Sequence, residues 1–357
     1  MQIELRSVHK RYGDVDVVVD LSLVLPAGQV TALLGPSGCG KTTTLRMIAG
    51  LERCSAGAIS LGNRVVDDAG AGVFVPPEER GLGMVFQSYA LWPHKTVLEN
   101  VAYPLTLRGR SRGKSKAVVV EQAFRALQRV RLQDLAQRAP HQLSGGQQQR
   151  VAVARALVGD GEHAPPVLLL DEPLANLDAR LREDMRAELA AIARSSGATV
   201  VAVTHDQQEA FALADAVVVL ERGRLAQRGT PEEIYLQPLS PFVGSFGGPM
   251  AFLPAQSAGP DVVVAGWAMS RTRLHGPALA GGEQLQLGVR PEWLVPADAG
   301  VDVVVVQRLF LGREHELAVE TLVGGWRLTL RLPSTTTAPP AGARLKLELT
   351  RACAFPM

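Results

Sequence analysis

The densest chemistry in the chain lies in Gly35-Pro36-Ser37-Gly38-Cys39-Gly40-Lys41-Thr42. It follows the apolar run Val30–Leu34 and precedes the helical run Thr43–Ala49, which is the strand–loop–helix context such a loop requires. Glycines let successive backbone N–H groups curl around phosphate oxygens. Lys41 can then neutralise β- and γ-phosphate charge, and the Thr42 hydroxyl can ligate Mg²⁺. A chance glycine-rich turn would explain neither the lysine–hydroxyl pair nor the context. The loop alone fits a kinase, a GTPase or a helicase equally well.

Two carboxylates stand downstream where they can serve that loop. The run Val167-Leu168-Leu169-Leu170 reads as a buried strand, and it ends in Asp171-Glu172 at the edge of the sheet where the loop also lies. Asp171 is placed to hold the Mg²⁺ shell and Glu172 to polarise an attacking water. Taken alone, the pair could equally be a solvated strand end. A further element is Leu143-Ser144-Gly145-Gly146-Gln147-Gln148-Gln149-Arg150, which opens the helical run Val151–Val158. Ser144 can cap that helix, and the amides of Gly145 and Gly146 form a second anion site at its N-terminus. Capping explains the serine. It does not explain two glycines that weaken a helix, so something is expected to approach that backbone closely.

The Leu-Ser-Gly-Gly-Gln string resembles the signature of the ATP-binding cassette family, and the resemblance extends along the chain. It implies that ATP and Mg²⁺ are held by Gly35, Pro36, Ser37, Gly38, Cys39, Gly40, Lys41, Thr42 and Thr43. Tyr12 matches the aromatic that stacks on adenine. Gln87, in Val85-Phe86-Gln87-Ser88-Tyr89-Ala90-Leu91, matches the glutamine of the Mg²⁺ and water shell, at the loop where a membrane subunit docks. Asp178, in Leu174-Ala175-Asn176-Leu177-Asp178, matches the loop that crosses a dimer interface. His205, ending the strand run Thr199–Val203, matches the histidine that contacts the γ-phosphate. The implied metal ligands are Thr42, Gln87 and Asp171, and the implied catalytic groups are Glu172, His205, Lys41 and Gln87. In this family Lys41 of one copy and Ser144, Gly145, Gly146 and Gln147 of another grip one nucleotide, so the resemblance implies a head-to-tail dimer around two ATP molecules.

These motifs need an α/β frame. From Met1 to about Gln237, short β-branched runs alternate with helical patterns, which predicts a P-loop NTPase domain with a parallel sheet covered by helices. Leu181, Met185, Leu189 and Ile192 recur at helical spacing with charged residues on the other face, an amphipathic helix. About 88–160 reads as an inserted helical subdomain, with the basic segment Arg108–Lys116 its least ordered part. Gly159–Pro166 is expected to bulge outward. From about 238 to 357 the pattern changes to alternating runs such as Trp326–Leu332 and Leu345–Leu349, separated by Gly/Pro clusters. That predicts a small all-β, OB-like domain. Its string Leu287-Gly288-Val289-Arg290-Pro291-Glu292 resembles the TOBE-type regulatory domain of importer ATPases of the maltose, polyamine, sulfate and ferric-iron group.

Composition narrows the role. Lys+Arg 37 against Asp+Glu 35 leaves a formal charge of +2, which offers no global field for nucleic acid, and no nucleic-acid partner is expected. Three scattered cysteines do not form a disulfide framework and point to a reducing compartment. Cys39 is most simply a small residue in the loop, with oxidation of a thiol beside a bound phosphate as the alternative. Met1–Leu5 lacks the pattern of a secretion signal, and no apolar run approaches the roughly 20 residues of a membrane span. The expected setting is therefore the cytoplasmic face of the bacterial inner membrane. There the chain would work as a peripheral ATPase with two permease subunits and a periplasmic or lipid-anchored solute-binding protein. The segments Gly72–Arg80 and Tyr89–His94 look closest to ferric-iron importers, with polyamine, sugar, phosphonate and sulfate systems as alternatives. A soluble cassette protein acting on nucleic acid or ribosomes is the rival from another class. Tandem cassettes or long coiled-coil insertions, usual in such proteins, are missing from the sequence.

Overall fold

The computed structural model describes residues 1–110, 115–159, 166–276 and 282–357. The expectations for Arg108–Lys116 and Gly159–Pro166 therefore lie largely outside the described residues. The chain divides into two compact units, Met1–Pro231 and Glu232–Met357.

In the first unit the strands are β1 (Ile3–Tyr12), β2 (Val15–Leu25), β3 (Val30–Leu34), β4 (Ala56–Leu61), β5 (Arg64–Asp68), β6 (Val73–Phe74), β7 (Gly83–Val85), β8 (Val167–Asp171), β9 (Thr199–Val203), β10 (Ala216–Glu221) and β11 (Arg224–Gly229). The helices are α1 (Lys41–Ala49), α2 (Val97–Arg110), α3 (Lys116–Arg129), α4 (Gly145–Leu157), α5 (Ala179–Ser195) and α6 (Gln207–Leu213). The mainly parallel sheet runs β11-β10-β3-β9-β8-β7, with only β11 antiparallel.

A second sheet in the order β2-β1-β4-β5-β6 was not expected and is antiparallel throughout. The α/β reading of Met1–Gln237 holds for the parallel sheet and is extended here by this antiparallel one. The physical reason is connection length: a parallel pair needs a crossover of about a dozen residues or more, whereas Gly13-Asp14 and Gly62-Asn63 leave room only for hairpin turns.

Both sheets close on α1. This helix has nine residues, too few to persist alone in water. It is held because Leu45, Met47 and Ile48 share one core with Ile3, Leu5, Leu21 and Ile59 of the antiparallel sheet and Leu33, Leu169 and Val201 of the parallel one. Its C-terminal carbonyls are bound as well. Arg80, almost wholly buried, donates to Met47 O at 2.7 Å, Ile48 O at 2.9 Å and Val75 O at 2.7 Å. Helices α2, α3 and α4 form a separate apolar cluster around Val101, Leu105, Ala123, Leu127, Val151 and Ala154.

Among the described residues, the second unit is all β apart from the short helix Pro231–Leu236 at its start, the short helix Pro241–Phe246 and two 3₁₀ turns. One sheet has six strands, with Ala251–Ala258 beside Gln284–Val289 and Ala352–Pro356 next to that. The other has four, with the long strand Leu294–Phe310 between Glu314–Thr321 and Arg344–Leu349. Half-buried alternation of Leu328, Leu330 and Leu332 supplies the core face, as a period of two requires.

The string Leu287–Glu292 proves to be scaffold. Leu287 and Val289 are core residues, and the Arg290 guanidinium is fully buried. It donates to Tyr235 O at 2.8 Å, Gly244 O at 3.3 Å and Pro249 O at 3.4 Å, and lies 3.8 Å from the Tyr235 ring centroid. Glu292 accepts from the Tyr235 hydroxyl, whose pKa is pushed up to about 12 by burial and then by Glu292. Replacing Arg290 by Met strands these carbonyls in a dry site. Urea unfolding of R290M should show the second unit destabilised by on the order of 3 kcal/mol.

Candidate active site

Strand β3 delivers the chain to Gly35, where the backbone turns at φ +153°. A Cβ there would stand 2.4 Å from Leu220 O, and a Cβ at Gly40 would stand 2.7 Å from Val17 O. Only glycine permits the loop to lie this close to β10 and β2. Gly40 is also the N-cap of α1 and makes no side-chain capping bond, so the first amides of that helix are left for a ligand. Lys41 is buried with its ammonium turned into the loop, donating to Gly35 O and Pro36 O at 2.8 Å each.

Beside the loop the ends of β8 and β9 bring the carboxylates and the histidine together. Thr42 Oγ1 donates to Asp171 Oδ1 at 3.2 Å. Burial raises the Asp171 pKa, opposed by the Thr42 hydrogen bond and the charge of Arg46. Glu172 takes a left-handed φ of +45°, and its amide donates to Val203 O at 3.0 Å. That turn aims its carboxylate into the cleft. His205 Nδ1 lies 3.2 Å from Glu172 Oε1, and Gln87 Nε2 donates to Glu172 Oε2 at 3.3 Å. Asn176 Nδ2 in turn holds Gln87 O at 2.7 Å. A cleft of about 320 Å³ is lined by Val17, Ser37, Gly38, Gly40, Lys41, Thr42, Thr43, Glu172 and His205.

Most of the residues singled out from sequence therefore converge on one cleft. The bonded pair Thr42–Asp171, an uncapped helix start and a glycine cradle form a donor set that fits Mg²⁺ and a triphosphate. Tyr12, at the end of β1, keeps its ring 43% exposed, with Lys10 Nζ 4.7 Å from the centroid. Cys39 is buried, and burial pushes its pKa up, which fits a small packed loop residue rather than an oxidisable thiol: a protonated, enclosed sulfur is a poor nucleophile.

Ser144, Gly145, Gly146, Gln147 and Asp178 do not line this cleft. Ser144 caps α4 in a reciprocal box: Gln147 N donates to Ser144 Oγ at 3.4 Å and Ser144 N to Gln147 Oε1 at 3.0 Å. Asp178 caps α5 by accepting from Leu181 N at 3.0 Å. The close approach expected at the two glycines has a source inside the chain. A Cβ on Gly145 would meet Leu177 at 3.2 Å, and one on Gly146 would meet Leu181 at 3.2 Å and Met185 at 3.3 Å.

Two features of the site went unread in the sequence. Val17 enters the cleft from the unexpected antiparallel sheet. Glu209 underpins His205: it accepts from Thr204 Oγ1 at 2.7 Å, while its amide donates to Asp206 Oδ1 at 3.0 Å. Asp206 in turn is held by Arg186 at 2.9 Å. Nothing in the pattern of α6 distinguishes a buried glutamate from a surface one.

The comparisons with known proteins agree on one family. The family model described as ABC transporter matches residues 18–175. The chain is 40% identical to the sn-glycerol-3-phosphate import ATP-binding protein UgpC of Jannaschia sp., over 97% of this chain and 95% of that protein. It is 40% identical to the Fe(3+) ions import ATP-binding protein FbpC of Escherichia coli K12, again over 97% of this chain and 95% of the relative. It is 50% identical to the trehalose/maltose import ATP-binding protein MalK of Thermococcus litoralis, over 71% of this chain and 66% of the relative. Among solved structures, the dimeric ABC transporter cassette MJ0796 superposes with a TM-score of 0.53 at 33% identity, over 64% of this chain and 98% of that one.

Burial raises the Glu209 pKa from 4.5 to about 7. Between these values the unfolded chain ionises Glu209 while the folded chain keeps it protonated. The contribution of Glu209 to stability is therefore full below about pH 4.5, falls as pH rises, and is lost above about pH 7. Over that window the drop should approach roughly 3 kcal/mol. Chemical denaturation across pH 4 to 8 should show this fall in the parent chain and its loss in E209Q.

Proposed function

Because this chain belongs to the ABC transporter family as an importer-type ATP-binding subunit, an ATPase coupled to transport, we propose that its cleft hydrolyses ATP within a dimer that drives separate permease subunits. The observation that carries the reading is the meeting of Lys41, Thr42, Glu172 and His205 in one cleft, with Gln87 bonded to Glu172.

In this reading Gly35–Thr43 cradle the triphosphate, the residues other than Pro36 offering backbone N–H groups, and the Lys41 ammonium exchanges its loop carbonyls for phosphate oxygens. Tyr12 offers its exposed ring to the adenine. Thr42, Asp171 and Gln87 would hold Mg²⁺, which neutralises phosphate charge when bound. Glu172 orients a water and accepts its proton as oxygen attacks the γ-phosphorus. The bond to the bridging oxygen breaks, and ADP and phosphate leave. His205, tied to Glu172, faces the γ-phosphate. Ser144–Gln147 and Asp178 lie outside the cleft and serve the nucleotide held by a second copy, head-to-tail. The cassette MJ0796 is itself known in a dimeric post-hydrolysis state bound to ADP and Pi. Closing around ATP and reopening after hydrolysis then moves the partners.

Among the described residues no helix is long and apolar enough to cross a membrane. We place the chain on the cytoplasmic face of the membrane, bound to two permease subunits supplied by a solute-binding protein. A groove of about 230 Å³ near Gln87, lined by Leu82, Met84, Phe86, Trp92 and Pro104 with Arg155 at its wall, offers a largely apolar seat for side chains of a permease segment. For the solute we propose ferric iron, supported by the likeness of Tyr89–His94 to ferric systems and by the ferric relatives. The glycerol-3-phosphate and sugar relatives favour a second reading, an organic solute.

E172Q should lower phosphate release on the order of a hundredfold or more while ATP still drives dimerisation in size-exclusion chromatography. An unchanged rate and an unchanged dimer would sink the mechanism. With the chain co-purified with its permease in vesicles, ferric-loaded binding protein should stimulate hydrolysis. Stimulation by a sugar- or glycerol-phosphate-loaded protein instead would replace iron as the solute.

A further inference from the structure

Tyr89 and Ala90 follow Gln87 by two and three residues and hold left-handed φ values of +59° and +48°. Residues with a Cβ rarely take this conformation, and two in succession persist only when the surroundings impose it. The local bonds, Tyr89 N to Phe86 O and Ala90 N to Ser88 O, close the turn but do not explain its hand. The Tyr89 hydroxyl is buried without a hydrogen-bond partner among the described residues, a further cost borne by the same turn.

What imposes the turn comes from α4. Arg155, in the last turn of that helix, is 8% exposed. Its guanidinium donates to Tyr89 O at 2.6 Å and Ala90 O at 2.5 Å, and its Cζ lies 5.0 Å from the Trp92 ring centroid. A planar fork with two donors in fixed geometry is suited to holding two consecutive carbonyls, which a lysine ammonium cannot match. The same helix begins at Ser144, and the same loop carries the amide that donates to Glu172.

We infer that Arg155 is a positioning residue for ATP hydrolysis: it holds the turn at Tyr89–Ala90 in its strained form and thereby sets Gln87 against Glu172 from the end of the Ser144 helix. The inference rests on the proposed roles of Gln87 and Glu172. A strut of this kind ties the helix that faces a second copy to the loop that serves this copy's own cleft. Displacement of α4 moves the two carbonyls and, through them, Gln87.

The test uses the full chain and a cycle of R155Q with A90G, since glycine adopts a left-handed φ without strain and needs less holding. R155Q should cut kcat for ATP at least tenfold with KM changed less than twofold, because the phosphate loop is untouched. In the nucleotide-free chain it should speed hydrogen exchange at least tenfold in the peptide spanning 86–92. Measured in the A90G background, both losses should shrink at least threefold. A kcat within twofold of the parent, unchanged exchange, or equal losses in the two backgrounds would overturn the inference. If R155Q does not fold, R155K is measured in the same cycle under the same criteria. Parent hydrolysis and its loss in E172Q, assayed alongside, separate a failure of the strut from a failure of the underlying site.

Discussion

Everything in the first unit is arranged around how closely a backbone can approach a phosphate. The loop at Gly35–Thr42 lies against Leu220 O on one side and Val17 O on the other, at distances that exclude a Cβ at Gly35 or Gly40. Those contacts fix which strands must flank it. β10 and β9 pair with β3 in parallel, and β8 pairs with β9, so the carboxyl ends of four strands meet at one edge. Asp171 and Glu172 leave one of those ends and His205 follows another. The antiparallel sheet is then needed to supply Val17 and to cover α1, a helix too short to stand without it.

Cost is concentrated at the same edge. Glu172 is left-handed, Tyr89 and Ala90 are left-handed, and Lys41 is buried on carbonyl oxygens with no carboxylate bonded to it among the described residues. A network that only stabilised the fold would not gather strained backbone and an ammonium in one place. These are the conditions under which a site responds sharply to a multiply charged ligand, because each such group has a better partner in a phosphate oxygen or a rearranged neighbour.

Residues whose chemistry is tied to local spacing were legible in the sequence. The phosphate loop, the acidic end of β8, the Ser144 cap and the amphipathic α5 all follow from types and intervals along a few turns. The antiparallel sheet was hidden because β1 and β2 carry the same β-branched composition as buried parallel strands, and only the two-residue connections tell them apart. Arg80, Arg155 and Arg290 were illegible for a different reason. Each is a charged residue buried on backbone carbonyls, a use that depends on distant chain and leaves no periodic trace. In the second unit the string Leu287–Glu292 marked the type of domain, but its sequence did not disclose that Arg290 within it bonds the unit together.

The glycines of α4 show why a local explanation can be complete and still leave work for a partner. Leu177, Leu181 and Met185 account for the missing side chains at Gly145 and Gly146, and the capping box uses the amides of Ser144 and Gln147. What it does not use are the amides of the first two helical residues, which no helix can bond internally. Packing against α5 therefore removes the side chains that would cover those amides, and the cap fixes their direction. An anion reaching them must come from outside the chain's own cleft, since neither residue lines it. This geometry fits the proposal that one phosphate site is divided between two surfaces of the same molecule. In the proposed dimer, nucleotide binding and association would be a single equilibrium, with the free energy of one linked to the other.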